Sequence, residues 1–157
     1  MRWGMAVLRA SVSGSAAKDF SLRDAIKRRD TTTANALVSK RVNVNAALPD
    51  GATALSWAVF LDLEDTAIKL IEAGADINSK GDYGETPLTL ALANGNVALS
   101  TRLLKGGADP KATRWNGETA LMIAAGAGSM EEVKLLLDAG LDVNVAETEK
   151  GQNALMW

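Results

Sequence analysis

A chain of 157 residues is long enough for one compact domain or one short repeat array. Apolar residues at 47% and charged residues at 23% describe a folded protein and exclude a disordered one. The absence of both cysteine and histidine excludes disulfides, thiolate chemistry, the usual nitrogen and sulfur ligands of zinc, and the commonest general base.

The net charge of −2 is unevenly spread. Residues 1–49 carry nine Lys/Arg against three Asp/Glu, a balance of +6, whereas residues 50–157 carry eight against sixteen, a balance of −8. Arg23, Lys27, Arg28 and Arg29 form the densest basic group. No interleaved aromatics accompany them, so they read as a solvated helix face and no nucleic-acid contact is expected. No apolar run reaches the eighteen or more residues that a membrane-spanning helix needs.

In chain order, residues 1–17 come first. Arg2 precedes a short apolar run from Trp3 to Leu8, Arg9 interrupts it, and small residues follow from Ala10 to Ala17. This stretch reads either as a degenerate export signal, cleaved after Ala16 or Ala17, or as a disordered leader. The first implies a periplasmic or secreted protein and the second a cytoplasmic one.

From residue 18 onward the chain repeats itself. Gly51, Gly84 and Gly117 lie 33 residues apart, and Gly151 follows 34 later. Thr53, Thr86 and Thr119 keep the spacing, as do Leu55, Leu88 and Leu121. Gly74, Gly107 and Gly140 do so at the far end of each unit, followed by Asp76, Asp109 and Asp142. Several registers at one period mark a repeat architecture. The units are residues 18–50, 51–83, 84–116 and 117–150, with 151–157 opening another.

Each position has a physical reason. The first glycine supplies a positive φ for the tight turn into the unit, and the threonine caps the first helix. Pro87 suits the first helical position. Small side chains, as in Leu90-Ala91-Leu92-Ala93 and Ile123-Ala124-Ala125, let neighbouring inner helices approach closely. A second helix follows, with Ile68, Leu70 and Ile71 or Val133, Leu135, Leu136 and Leu137 at helical spacing. Gly74, Gly107 and Gly140 stop it. One unit cannot bury both of its faces, so stacking supplies the core.

Residues 18–50 keep the buried positions, with Leu22, Ala25, Leu37 and Val44 in register, but lose the turn glycines: Lys18 and Arg41 stand in their places. They read as a degenerate N-terminal capping repeat. Trp157 aligns with Trp57, Leu90 and Ile123 inside an inner helix, so residues 151–157 read as the truncated start of a further repeat. An uncapped end there predicts self-association.

The stretches Gly84-Glu85-Thr86-Pro87-Leu88, Gly107-Ala108-Asp109 and Asp50-Gly51-Ala52-Thr53-Ala54-Leu55 resemble the ankyrin repeat, and the resemblance covers about residues 18–157. Gly117-Glu118-Thr119-Ala120-Leu121-Met122 looks particularly like bacterial members, some of which are exported. The resemblance implies an all-α solenoid of stacked helix-turn-helix units with projecting β-hairpin-like loops, and a protein–protein interaction role. The family often carries a histidine after the Thr-Pro-Leu triplet; here Ser56, Thr89, Met122 and Met156 occupy that place. The network between loops is therefore expected to be weaker or differently made.

No enzymatic reading gains support. Gly126-Ala127-Gly128-Ser129 follows a helix where a dinucleotide loop needs a strand, and reads as the turn between two helices. The aspartate row, one per unit, reads as loop acceptors rather than a metal site. No Ser-x-x-Lys or Gly-x-Ser-x-Gly motif is present, and no cofactor or small-molecule substrate is expected.

The family resemblance places binding at the loop tips and the exposed side of the inner helices. Candidate partner contacts are Lys80, Asp82, Tyr83 and Glu85 on one loop, and Arg114, Trp115, Asn116 and Glu118 on the next. Phe60 and Leu61 join them at an inner-helix end. Tyr83, Arg114 and Trp115 are the residue types that most often carry interface energy, although two rings at such tips equally suit packing over the loop backbone. Phe60 and Leu61 pose the same choice, with one of them expected to pack inward. The expected function is a scaffold that binds an unidentified protein. The alternatives are an inhibitor or immunity-type module, or the binding part of a longer chain with an enzymatic or membrane function.

Overall fold

The structure, a computed structural model, describes residues 22–144. The readings of residues 1–17 as a leader and 151–157 as a partial unit, and the aromatic and methionine at Trp157 and Met156, lie outside the described residues.

Within residues 22–144 eight helices follow one another in pairs. They are α1 (residues 22–27) and α2 (Thr31–Ser39), α3 (Ala54–Phe60) and α4 (Glu64–Glu72), α5 (Pro87–Asn94) and α6 (Val97–Lys105), then α7 (Ala120–Gly126) and α8 (Met130–Asp138). The second helices stack in a row as α2, α4, α6 and α8, and the first helices as α3, α5 and α7. Among the described residues there is no strand, only an isolated bridge between Thr113 and Thr119.

Inner helices begin alike. Thr53, Thr86 and Thr119 sit in extended backbone and accept a hydrogen bond from the amide three residues on. In return Ser56 Oγ accepts from Thr53 N at 2.8 Å and Thr89 Oγ1 from Thr86 N at 2.8 Å, while Met122 offers its sulfur to Thr119 N at 3.5 Å. These are the residues standing where the family often has histidine. They close a capping box within their own helix, so the link between units must come from elsewhere.

Two asparagines supply one such link. Asn45 Nδ2 donates to Gly74 O at 3.1 Å, and its Oδ1 accepts from Asp76 N at 2.6 Å. Asn78 repeats this one unit later, to Gly107 O at 3.1 Å and from Asp109 N at 2.8 Å. Lys111 occupies the next place in that register, and the third junction has no such clamp. Asp76, Asp109 and Asp142 accept from the backbone two residues on, at 2.9, 2.9 and 2.8 Å, in the loop role expected of them.

Outer helices are entered through a left-handed residue. Arg29, Asp62, Gly95 and Gly128 have φ of 59, 58, 67 and 74°, again 33 residues apart. The following N-cap is Asp30, Leu63, Asn96 or Ser129; all but Leu63 hold an amide of the first turn. Lacking such a cap, α4 opens with Glu64 and Asp65, whose charges face the positive end of the helix. Gly74, Gly107 and Gly140 stop the helices at φ of 91, 100 and 85°, and Arg41 takes the same conformation at 56°.

Leu22, Leu55, Leu88 and Leu121 form the inner spine, each at most 1% exposed, and Leu70, Leu103 and Leu136 the outer one. Burial of each leucine contributes about 1.5–3 kcal/mol. Two charged residues within the helices break the pattern. Arg23, read from the sequence as part of a solvated face, is instead buried on α1. Glu132 is also buried, at the place of Leu99 in the preceding unit; Ser100 Oγ donates to its Oε1 at 2.6 Å, and Oε2 has no partner.

Candidate functional site

Three loops project beside the inner helices as hairpins with one shared geometry. Each is closed by a backbone bond across the turn: Leu48 N to Ala52 O at 2.9 Å, Gly81 N to Glu85 O at 3.0 Å and Arg114 N to Glu118 O at 3.0 Å. Neighbouring hairpins are tied together by backbone, Asp82 N donating to Asp50 O and Trp115 N to Tyr83 O, each at 3.0 Å. The turn glycines make this approach possible. A Cβ on Gly51 would lie 2.5 Å from Lys80 O, and one on Gly84 would lie 3.0 Å from Thr113 O.

Between these loops and the exposed sides of α3 and α5 runs a groove of about 420 Å³. Trp57, Phe60 and Leu90 form its helical side, and Tyr83, Glu85, Arg114 and Trp115 line it from the loops. Tyr83 and Trp115 are 68% and 66% exposed, so neither ring is folded down over its loop. Phe60 is 57% exposed and meets Trp57 edge-on, with centroids 5.7 Å apart and planes at 87°. Leu61, by contrast, packs against the core. Of the two neighbours, it is Leu61 that turns inward.

The charges are arranged with equal regularity. Arg114 Nη1 donates to Glu118 Oε2 at 2.7 Å, and Glu118 is only 7% exposed. Glu118 is therefore corrected from a surface contact to a buried support that fixes Arg114: it sits at the base of the hairpin, where the Arg114 backbone bond closes the loop. Asn116 has a similar internal task, its Oδ1 accepting from Glu118 N at 3.0 Å. Lys80 and Asp82 are exposed but lie outside the groove. Asp50 and Glu85 line it, and neither forms an ion pair. Asp50 Oδ1 accepts from Ala52 N at 3.0 Å, while Glu85 Oε2 is shielded from solvent without a hydrogen-bond partner.

Five of the sequence-derived candidates thus meet at one place: Phe60, Tyr83, Glu85, Arg114 and Trp115. Trp57 was the omission. It stands in register with Leu90 and Ile123, and a tryptophan where other units have an aliphatic residue was the available signal. Lys27, one unit earlier than Phe60, holds its ammonium 4.6 Å from the Trp57 ring centroid.

Among the described residues no group of His, Cys, Asp and Glu is placed to hold a metal ion. No helix among them is long and apolar enough to cross a membrane. No curated protein matches the chain's sequence closely enough to serve as a relative. The family model described as ankyrin repeats (3 copies) matches residues 22–114 and again residues 88–157. With the 33-residue helix pairs, stacked rows and projecting hairpins, that match shows that the chain belongs to the ankyrin repeat family.

Proposed function

We propose that this chain is a non-catalytic scaffold that binds a protein partner in the groove between its loops and inner helices. Ankyrin repeats are in general protein–protein interaction modules. The observation that carries the reading to this surface is the convergence of Phe60, Tyr83 and Trp115, each more than half exposed, around one cleft. Exposed aromatic surface gathered in a concave site, with a charged rim, is the composition of an interface centre. Arg114 contributes to the rim, held in place by Glu118.

Site-specific photo-crosslinking in the native cells tests this. A benzophenone side chain at position 83 or 115 should capture a protein that the same group at Met130, exposed on α8 away from the groove, does not. Equal capture from Met130, or none from either loop position, would reject the groove as the docking surface.

A further inference from the structure

We infer that the groove is built to take a guanidinium group, so that the partner docks by inserting an arginine side chain. This rests on the groove being the docking surface, and it specifies the chemistry of what enters. Three observations converge on it.

The first is an acceptor without a donor. Glu85 lines the groove, and its Oε2 is shielded from solvent with no hydrogen-bond partner. Once the Glu85 side chain turns that oxygen toward the groove, an entering donor completes it, and a charged donor makes the stronger bond. The second is charge. Asp50 and Glu85 line the groove without ion pairs, whereas the positive charge of Arg114 is neutralised by Glu118 at 2.7 Å. The groove is left with a surplus of negative charge, and the sign of its missing partner follows.

The third is the aromatic wall. Trp57, Phe60, Tyr83 and Trp115 present ring surface around the same space, and a cation over such a ring is attracted to its negative face. Within this molecule the Trp57 ring already draws a cation, the Lys27 ammonium, 4.6 Å from its centroid; Lys27 does not line the groove. Carboxylate and ring surface together match arginine better than lysine. The planar guanidinium stacks on a ring while its fork of N–H donors engages a carboxylate, and it is less strongly hydrated than an ammonium.

The test is titration of the full chain with three short peptides, acetyl-Gly-Arg-Gly-amide and its citrulline and lysine counterparts, followed by NMR of the indole and backbone amides. The arginine peptide should shift the Trp57 and Trp115 indole signals and the Glu85 amide saturably. Citrulline, similar in shape but uncharged, should bind at least tenfold more weakly, and lysine several-fold more weakly. Glu85→Gln should weaken the arginine peptide at least fivefold with an unchanged urea midpoint; should that midpoint move, Asp50→Asn provides the same comparison. Equal binding of citrulline, shifts confined to residues outside the groove, or full affinity in both variants would overturn the inference. Crosslinks mapping to positions 83 and 115 alongside indifference to arginine would overturn the guanidinium alone and leave the docking surface standing. Arginine binding without crosslinks would do the reverse.

Discussion

Replacing Asn78 with alanine removes both side-chain bonds that clamp the first full unit's loop onto the next, Nδ2 to Gly107 O at 3.1 Å and Asp109 N to Oδ1 at 2.8 Å. The backbone around residue 78 keeps its own bond, Asn78 N to Asp76 Oδ1, so the local turn survives. A hydrogen bond of this kind contributes about 0.5–1.5 kcal/mol net, and the freed groups here are near solvent and rehydrate, so the expected loss is about 1–2 kcal/mol rather than the larger penalty of a buried orphan. Equilibrium urea unfolding gives the magnitude, and amide exchange at Asp109 should accelerate first. The reciprocal change is Lys111→Asn, which places the same side chain at the junction that lacks it. It should raise stability by about 0.5–1.5 kcal/mol through bonds to Gly140 O and Asp142 N. A loss at Asn78 no larger than the roughly 0.5 kcal/mol scatter of surface substitutions would refute the clamp as a source of cohesion between units. So would destabilisation by Lys111→Asn.

Other expectations follow from the backbone and the caps. Gly84→Ala puts a Cβ 3.0–3.1 Å from Thr113 O, Arg114 Cα and Trp115 N at a φ of +75°, whereas Gly74→Ala meets nothing within 4 Å at +91°. Urea titration should show a cost of about 1–2 kcal/mol at Gly74, from the dihedral alone, and a clearly larger one at Gly84. Arg41→Gly relieves a left-handed non-glycine residue at a φ of 56°, and should gain up to about 1 kcal/mol after the entropy of the added glycine is subtracted. Hydrogen bonds from the Thr33 side chain and then its backbone hold the Asp30 carboxyl below the usual carboxylate range. Its stabilising effect is therefore full above the unfolded pKa and lost as pH falls through the folded one. Carboxyl NMR should show the low midpoint, and Thr33→Val should raise it toward the ordinary value.

The sequence was most legible where one residue type does one local task. A glycine at 51, 84 and 117 and a threonine two residues later specify a turn and a cap without reference to anything distant, and the leucines at 55, 88 and 121 mark the spine by period alone. Legibility failed where the same backbone is reached with a different residue. Arg29 and Asp62 adopt the left-handed turn that Gly95 and Gly128 adopt, although only glycine takes it without steric cost. It failed again where a folded neighbour decides the role, whether 29–31 residues away or within one hairpin. Asn45 and Asn78 read as loop residues, and only the adjoining unit makes them clamps. Glu118 reads as a surface charge until the hairpin folds Arg114 back over it. Tyr83, Trp115 and Phe60 were legible as candidates because large rings are scarce in this chain; Trp57 was hidden because it also fits a helix interior.

The hairpins touch one another through main-chain atoms: Asp82 N meets Asp50 O, and Trp115 N meets Tyr83 O. Every L-residue other than proline carries those same atoms, so the spacing of the fingers is indifferent to what their tips are made of. Frame and lettering are thereby separated. The side chains at positions 82, 83 and 115 are free to drift through most of the amino-acid alphabet while the array keeps its pitch, and a new partner is reachable by rewriting a few tips without refolding the support. The glycines beneath them have no such freedom. Variation among descendants of this chain should therefore pool at the tips and stop abruptly at Gly84, one residue past Tyr83, and at Gly117, two past Trp115.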